Sequence, residues 1–316
     1  MNMLYRTLLT LAAGALLALP AQAQQFINVL TGGTSGIYYP LGVSLTQIYG
    51  KAIPEAKSTV QATKASAENL NLLQAGRGEI ALTLGDALSM AWKGDAEAGF
   101  KSPLDKLRGV SATYNNYIQI VASADSGIKT MADLKGKRIS VGAPKSGTEL
   151  NARAILKAAG LSYADFAKVE YLPFGESVEL IKNRQLDVTL QSAGLGVASI
   201  RDLATSVKIV VVAIPAEVVA KVGDAAYQSA IIPANTYQGQ TADVPTAAIP
   251  NFLVSHAGVP AELVCKMTKS MYDNLDMMVA AHAAAKAIKR ENAVKGMPLP
   301  LHPGAEKYYR EVGLIK

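Results

Sequence analysis

The sequence predicts an α/β fold of two paired lobes, each a mixed, mostly parallel sheet flanked by helices. Two observations carry this expectation. Short apolar strands alternate with helical stretches, as parallel sheets with crossover helices require. The pattern then repeats in order. Residues 28–36 (NVLTGGTSG) are answered by 139–147 (ISVGAPKSG), each an apolar strand running into a Gly/Ser loop that ends in Ser-Gly. Residues 68–82 (ENLNLLQAGRGEIAL) are answered by 176–190 (ESVELIKNRQLDVTL). Here Leu70 aligns with Val178, Leu72 with Leu180, Leu73 with Ile181, Ile80 with Val188 and Leu82 with Leu190. Glu79 and Asp187 also occupy equivalent places. One match would be weak, because strand-loop-helix units look alike. Two in the same order, at nearly the same offset, indicate paired lobes.

Taken in order, strands are expected over 26–30, 58–62 and 79–84, with helices over 40–50 and 66–75. Two more extended apolar runs, 117–123 (YIQIVAS) and 247–255 (AAIPNFLVS), read as strands crossing between the lobes. Lobe I is then 24–120 plus 253–316, and lobe II is 121–252. Pro260 opens a helical C-terminal part over 261–289.

The N-terminus carries one positive charge, Arg6, then an apolar run over 8–19, Pro20, and small residues at Ala21 and Ala23. This is the pattern of a cleaved secretory leader over 1–23, leaving a mature chain from Gln24 in the periplasm. Twelve apolar residues reach about 18 Å, well short of a bilayer core of about 30 Å. No cysteine follows the cleavage site, so no lipid anchor is expected.

The composition narrows the function. Half the residues are hydrophobic and 18% are charged, enough for a sizeable core. The formal charge is +6, but the basic residues are dispersed, which argues against nucleic-acid binding. A mild positive field suits an anionic solute. Cys265 is the single cysteine, so no internal disulfide forms, and it reads as a packed core residue. His256, His282 and His302 are scattered without metal spacing; no metal or cofactor is expected, and a monomer is.

In open α/β sheets, ligands bind beyond the carboxyl ends of strands, at the starts of the following helices. Four loops qualify, two from each lobe. The first, 31–36, holds Gly33, Thr34 and Ser35 and leads to Tyr38; the second holds Gly85 and Asp86. The third, 144–148, holds Ser146, Gly147 and Thr148; the fourth holds Gln191, Ser192 and Gly194. Glycine lets backbone N–H groups approach a ligand, hydroxyls add donors, and a helix start adds free N–H groups and partial positive charge. Together these can hold a carboxylate without arginine. Singly, each loop is equally well a turn with a helix cap. Asp86 could cap its helix or meet a ligand amine, with capping the simpler role. Lys145 could pair with a second carboxylate or be a solvated loop lysine, the latter slightly favoured. Trp92 reads as core. No Gly-x-Ser-x-Gly elbow or Gly-Lys-Ser/Thr phosphate loop is present, so neither hydrolase nor nucleotide-hydrolase chemistry has its signature, and no enzyme is expected.

Residues 31–42 (TGGTSGIYYPLG), 133–138 (DLKGKR), 141–148 (VGAPKSGT), 232–240 (IPANTYQGQ) and 301–305 (LHPGA) together resemble the TAXI family of TRAP-transporter solute receptors. The resemblance runs over nearly the whole mature chain. It implies a type II periplasmic-binding-protein fold with two hinge crossings, and a sodium-coupled, ATP-independent membrane partner of small and large integral subunits. It implies glutamate, 2-oxoglutarate or a related dicarboxylate as solute. By motif, Gly33, Thr34, Ser35 and Tyr38 would contact it from one side, with Ser146, Gly147 and Thr148 opposite. The loop from Gln191 to Gly194 matches less closely. Where the family often has a polar pair before the aspartate that matches Asp86, this chain has Leu84-Gly85, which bears on the identity of the solute. Three other roles fit the same fold class: the receptor of an ABC importer for a sulfonate or thiamine-precursor-like solute, a periplasmic enzyme acting on a small acid, and a sensor module.

Overall fold

Parallel strands need crossovers, and the first segment supplies a helix after each strand. The computed structural model describes residues 25–316, so the expected leader lies outside the described residues. The chain runs β1 (Gln25–Leu30), α1 (Tyr38–Ala52), β2 (Ala56–Gln61), α2 (Ser66–Gln74), β3 (Ile80–Leu84) and α3 (Gly85–Lys93). Strand β1 lies between β2 and β3, parallel to both. The long strand β4 (Leu107–Ser123) then leads into a second set: β5 (Arg138–Ser140), α4 (Gly147–Ala158), β6 (Lys168–Glu170), α5 (Phe174–Lys182), β7 (Val188–Ala193) and α6 (Ala198–Ser206). Strand β5 lies between β6 and β7, again parallel to both. The internal repeat is therefore a repeat of structure: β1 answers to β5, α2 to α5, and β3 to β7.

The two aligned carboxylates do the same job in each unit. Glu79 Oε2 accepts the Asn28 backbone N–H at 2.7 Å, and Asp187 Oδ2 accepts that of Arg138 at 2.8 Å. Each acid stands just before one strand of its triplet and fastens it to the central strand. Asp187 is also gripped by the Arg138 guanidinium at 2.6 and 3.0 Å, which holds its carboxyl below the usual range.

Beyond the second triplet come β8 (Ile209–Val212), α7 (Ala216–Lys221), β9 (Gln228–Ile232) and β10 (Val244–His256). Strands β4 and β10 join everything into one mixed sheet. The first part of β4 and the last part of β10 pair with each other, and β10 continues to β3. The later part of β4 pairs instead with β7 and β8, and the early part of β10 with β9. The change of partners falls near Asn115 to Tyr117 on β4 and Ala248 to Asn251 on β10, where the β4–β10 register is also irregular. We call the β1–β3 side half I and the β5–β7 side half II. Both crossing strands begin earlier than expected, β4 by ten residues.

The apolar residues form two clusters on opposite faces of the sheet. Ile27, Val29, Ile80 and Leu82 belong to one, and Leu30 and Ala81 to the other, as strand alternation dictates. The C-terminal helices α8 (Ala261–Asp273), α9 (Leu275–Ala281) and α10 (Pro303–Glu311) cover half I. The expected long helical stretch is thus broken at Asn274. Cys265 is buried among them, as expected. Tyr309 donates to the Val110 carbonyl at 2.6 Å, and His302 N–H to that of Gly109 at 2.8 Å.

Gly42, in the middle of α1, sits where a Cβ would be 2.3 Å from Thr31 Cγ2 and 3.1 Å from Val60. The Thr31 rotamer is fixed by its hydroxyl bond to the Gln61 carbonyl at 2.7 Å. Gly42→Ala gains about 1 kcal/mol of helix propensity but forces overpacking of about 1–3 kcal/mol. A lower Tm in thermal unfolding is the expected outcome, against the rise that propensity alone would give.

Candidate functional site

The starts of α1, α2 and α4 converge where the two halves meet. They enclose a cavity of about 100 Å3. Half I contributes Gly32, Gly33, Ser35, Ile37 and Tyr38 from the first loop, Ala65 and Ser66 from the start of α2, Leu84, and Tyr114 from β4. Half II contributes Ala143, Ser146, Gly147 and Thr148 at the start of α4, Phe174 at the start of α5, and Ser192 and Ala193 at the end of β7.

Helix α4 aims its N-terminal N–H groups at this space. Ser146 is its cap, accepting from the Glu149 N–H at 3.1 Å, which leaves the serine proton free to donate. The N–H groups of the first turn have no intrahelical acceptors, and the helix start carries partial positive charge. Two of the lining residues, Tyr114 and Ser192, are 3% and 5% exposed, and their hydroxyl oxygens are buried without any partner. Burial raises the Tyr114 phenol well above its usual pKa, so it remains protonated. A buried hydroxyl without a partner costs stability.

Around these groups the wall is tied together across the crossing strands. The Tyr38 hydroxyl donates to Asn251 Oδ1; Asn251 Nδ2 donates to Asn116 Oδ1 at 2.8 Å; Asn116 Nδ2 donates to the Ser192 carbonyl at 2.8 Å. This chain links the first loop of half I to the last loop of half II through both crossing strands. Gln119 Nε2 holds the Ala193 carbonyl at 3.0 Å and so shapes the end of β7.

The halves touch around the cavity, so the structure is closed. Glu68 N–H in half I donates to the Lys145 carbonyl in half II at 3.3 Å. Gly147 lies so close to half I that a Cβ there would be 2.6 Å from both Leu84 Cδ1 and Ser66 Oγ. Arg153 of α4 donates to the Glu97 carbonyl at 2.8 Å. Behind α4 lies a fourth contact. Asp86, fully buried at the start of α3, accepts from Asn151 Nδ2 at 2.6 Å and the Tyr227 hydroxyl at 2.7 Å, both in half II. Burial pushes the Asp86 carboxyl up to about 6; the Tyr227 bond and the helix N–H of Ala87 pull the other way, and nearby Asp224 adds to the rise.

Of the residues expected to bind, Gly33, Ser35, Tyr38, Ser146, Gly147, Thr148 and Ser192 come together on the cavity wall. Four do not. Thr34 is exposed at the tip of its loop. Asp86 faces Asn151 and Tyr227 behind α4, where it is neither an ordinary cap nor a cavity residue. Gln191 is turned away by strand alternation and accepts from Ser199 at 2.7 Å. Gly194 is a close-approach position, where a Cβ would be 2.7 Å from Ile37 of half I. Lys145 exposes its side chain and uses its carbonyl instead, with φ at 61°. Trp92 is half-buried with Arg108 over its ring. Each histidine accepts a backbone N–H two residues ahead: His256 from Gly258, His282 from Ala284 and His302 from Gly304. No metal-binding cluster occurs among the described residues.

Sequence reasoning missed Tyr114, Asn116, Phe174 and Asn251, which no motif marks. Ser66 was read only as a helix start, yet its hydroxyl accepts from the Leu84 N–H at 3.1 Å and lines the cavity.

Solved structures share this architecture at low identity. The periplasmic binding protein BugD aligns over 92% of this chain and 99% of its own, at 13% identity and a TM-score of 0.60. PhnD1 from Prochlorococcus marinus (MIT 9301), in complex with methylphosphonate, aligns over 93% and 100%, at 10% identity and a TM-score of 0.58. A putative L-cystine ABC transporter protein from Listeria monocytogenes aligns over 85% and 98%, at 15% identity and a TM-score of 0.51. These likenesses establish the fold as that of the periplasmic binding proteins. The profile of the NMT1-like family matches residues 29–313, and the chain belongs to that family.

Proposed function

We propose that this protein is an extracytoplasmic solute receptor that captures a small organic anion by closing its two halves and delivers it to a membrane permease. The observation that carries this reading is the cavity where the two halves meet, lined at the start of α4 by Ser146, Gly147 and Thr148 and from the other half by Gly33, Ser35 and Tyr38. Preorganised N–H and hydroxyl donors suit an anion, and hydrogen bonds to an ionised group are the stronger kind. The halves act as lobes. With the solute bound to one, contacts to the other shift the population to the closed state. Micromolar affinity needs roughly −8 kcal/mol, which several charge-assisted bonds in a dry cleft can supply after the entropy losses.

The leader pattern favours a periplasmic location, and among the described residues no helix is long and apolar enough to cross a membrane. The TAXI-like segments favour a sodium-coupled TRAP permease as the partner. They also favour glutamate, 2-oxoglutarate or a related dicarboxylate, whose second carboxylate would need a cation; Lys64 is the cavity-lining residue that could supply it. A second reading, the receptor of an ATP-driven importer, is favoured by the putative L-cystine ABC transporter protein among the structural likenesses.

The test is thermal unfolding of the mature protein against organic acids, sulfonates, phosphonates, amino acids and sugars, with mass spectrometry of any solute released on denaturation. A solute at about a thousand times its Kd adds about 4 kcal/mol, several degrees in Tm. An organic anion alone should give that shift. A shift confined to sugars or other neutral solutes contradicts the reading.

A further inference from the structure

We infer that Phe174 is the residue that retains the solute: its ring seals the seam between the starts of α1 and α5, and the solute enters and leaves by that seam. The inference rests on the receptor reading above. It adds a route and a residue that sets the residence time.

The cavity has two seams between the halves, one towards each face of the sheet. Helices α2 and α4 pack into one core cluster, through Leu70 and Ile155 among others, and α1 and α5 into the other, through Leu45 and Ile181. The helix starts therefore meet in two pairs. The seam between α2 and α4 is tight and tied. Ser66, Ser146 and Gly147 are buried there, and the bond from Glu68 N–H to the Lys145 carbonyl crosses it. The Arg153 and Asp86 contacts add to it on the same face.

The seam between α1 and α5 is built differently. Among the described residues no hydrogen bond joins 33–36 to 173–175. What crosses it is the Phe174 ring, whose Cδ2 and Cε2 lie 3.9 Å from where a Cβ on Gly36 would be. Beside it, a Cβ on Gly175 would lie 3.4 Å from Ser35 Oγ. Ser35, Gly36 and Phe174 line the cavity, yet each is only half-buried, so this seam reaches solvent.

Phe174 is the first residue of α5 and follows Pro173, so its backbone is held while its ring can turn. Rotation of a half-exposed side chain is fast, and here it breaks no hydrogen bond. The other seam parts only when the halves themselves move. With the halves apart the ring would lose Gly36 and face water, so its burial favours closure. A contact of this kind governs how fast a solute leaves more than how fast it arrives.

The experiment is exchange of radiolabelled acid from the mature protein, with 2-oxoglutarate, glutamate, succinate and pyruvate as probes. Phe174→Ala should release a bound probe about tenfold or more faster. Phe174→Leu should restore part of the retention, and neither variant should slow association, as a folding defect would. A second arm uses Ser35→Cys/Gly175→Cys. A Cβ on Gly175 would be 3.7 Å from Ser35 Cβ, within the range of about 3.5–4.5 Å for a disulfide. The native Cys265 is buried and does not compete. Oxidised with a probe inside, this variant should keep it until reduced. Unchanged release in Phe174→Ala would overturn the inference, as would equal release from the oxidised and reduced pair; both leave the receptor reading intact. If the wild type binds none of the four acids, the anion-receptor reading fails and the inference with it.

Discussion

Gly147→Val is expected to weaken solute binding about a hundredfold while leaving the unliganded protein folded. Gly147 is the first residue of α4 and one of the cavity-lining residues. The three atoms nearest its missing side chain come from the opposite half: Leu84 Cδ1 and Ser66 Oγ at 2.6 Å and Ser66 Cβ at 2.9 Å. Ser66 is not free to yield, since its hydroxyl holds the Leu84 N–H. A valine there obstructs closure. Overpacking of this kind costs about 1–3 kcal/mol, and the upper figure is about a hundredfold in affinity. Calorimetry on the variant checks this. A loss of affinity with the unliganded Tm unchanged is expected, and unaltered affinity would mean the halves do not close on the solute as this structure has them.

Acid should tighten binding. Asn151 and Tyr227 of half II cover the Asp86 carboxyl, so separating the halves removes both partners and part of its burial. Closure therefore raises its pKa towards about 6, chiefly through burial. Closing takes up a proton between the open and closed values. The protonated form favours the closed state fully below the ordinary pKa, and the advantage is lost as pH rises through about 6. Affinity should be greater at pH 5 than at pH 7, by up to roughly tenfold at 1.36 kcal/mol per pKa unit, for an organic anion that stays ionised across the range. Tyr227 and Asp224 are the other titratable groups acting on this carboxyl. Tyr227 is itself pushed well above its usual pKa by burial, so it remains a neutral donor. In Asp86→Asn, the amide oxygen can still accept from Asn151 and Tyr227, and the NH2 adds a donor where Asp86 Oδ1 has no partner. That variant should bind more tightly at pH 7 and lose the pH dependence. A wild-type affinity that is flat from pH 5 to 8 would contradict the assignment.

Much of the architecture was legible because it depends on local pattern. The repeat aligned Glu79 with Asp187 from spacing alone, and both prove to fasten a strand to the centre of its triplet. The Gly/Ser loops at 31–36 and 144–148 announced the cavity, because strand ends and helix starts carry their chemistry in contiguous residues. Groups brought together by the crossing strands were not legible. Tyr114 and Asn116 sit in β4, in a stretch with Gly109 and two asparagines that has little strand propensity; pairing with β10 overrides it. Asn251 reaches the Tyr38 hydroxyl across a separation that no local pattern records. Asp86 illustrates the same limit. Its place at a helix start suggested a cap, while its role is fixed by Asn151 and Tyr227, which only the meeting of the halves brings near.

The most direct test of closure on an anionic solute is small-angle X-ray scattering from the mature protein, first stripped of solute and then saturated with whichever organic anion raises its Tm. A smaller radius of gyration in the saturated protein, and none in Gly147→Val, is the predicted result. Identical scattering with and without a solute shown to be bound would contradict closure as the mode of capture.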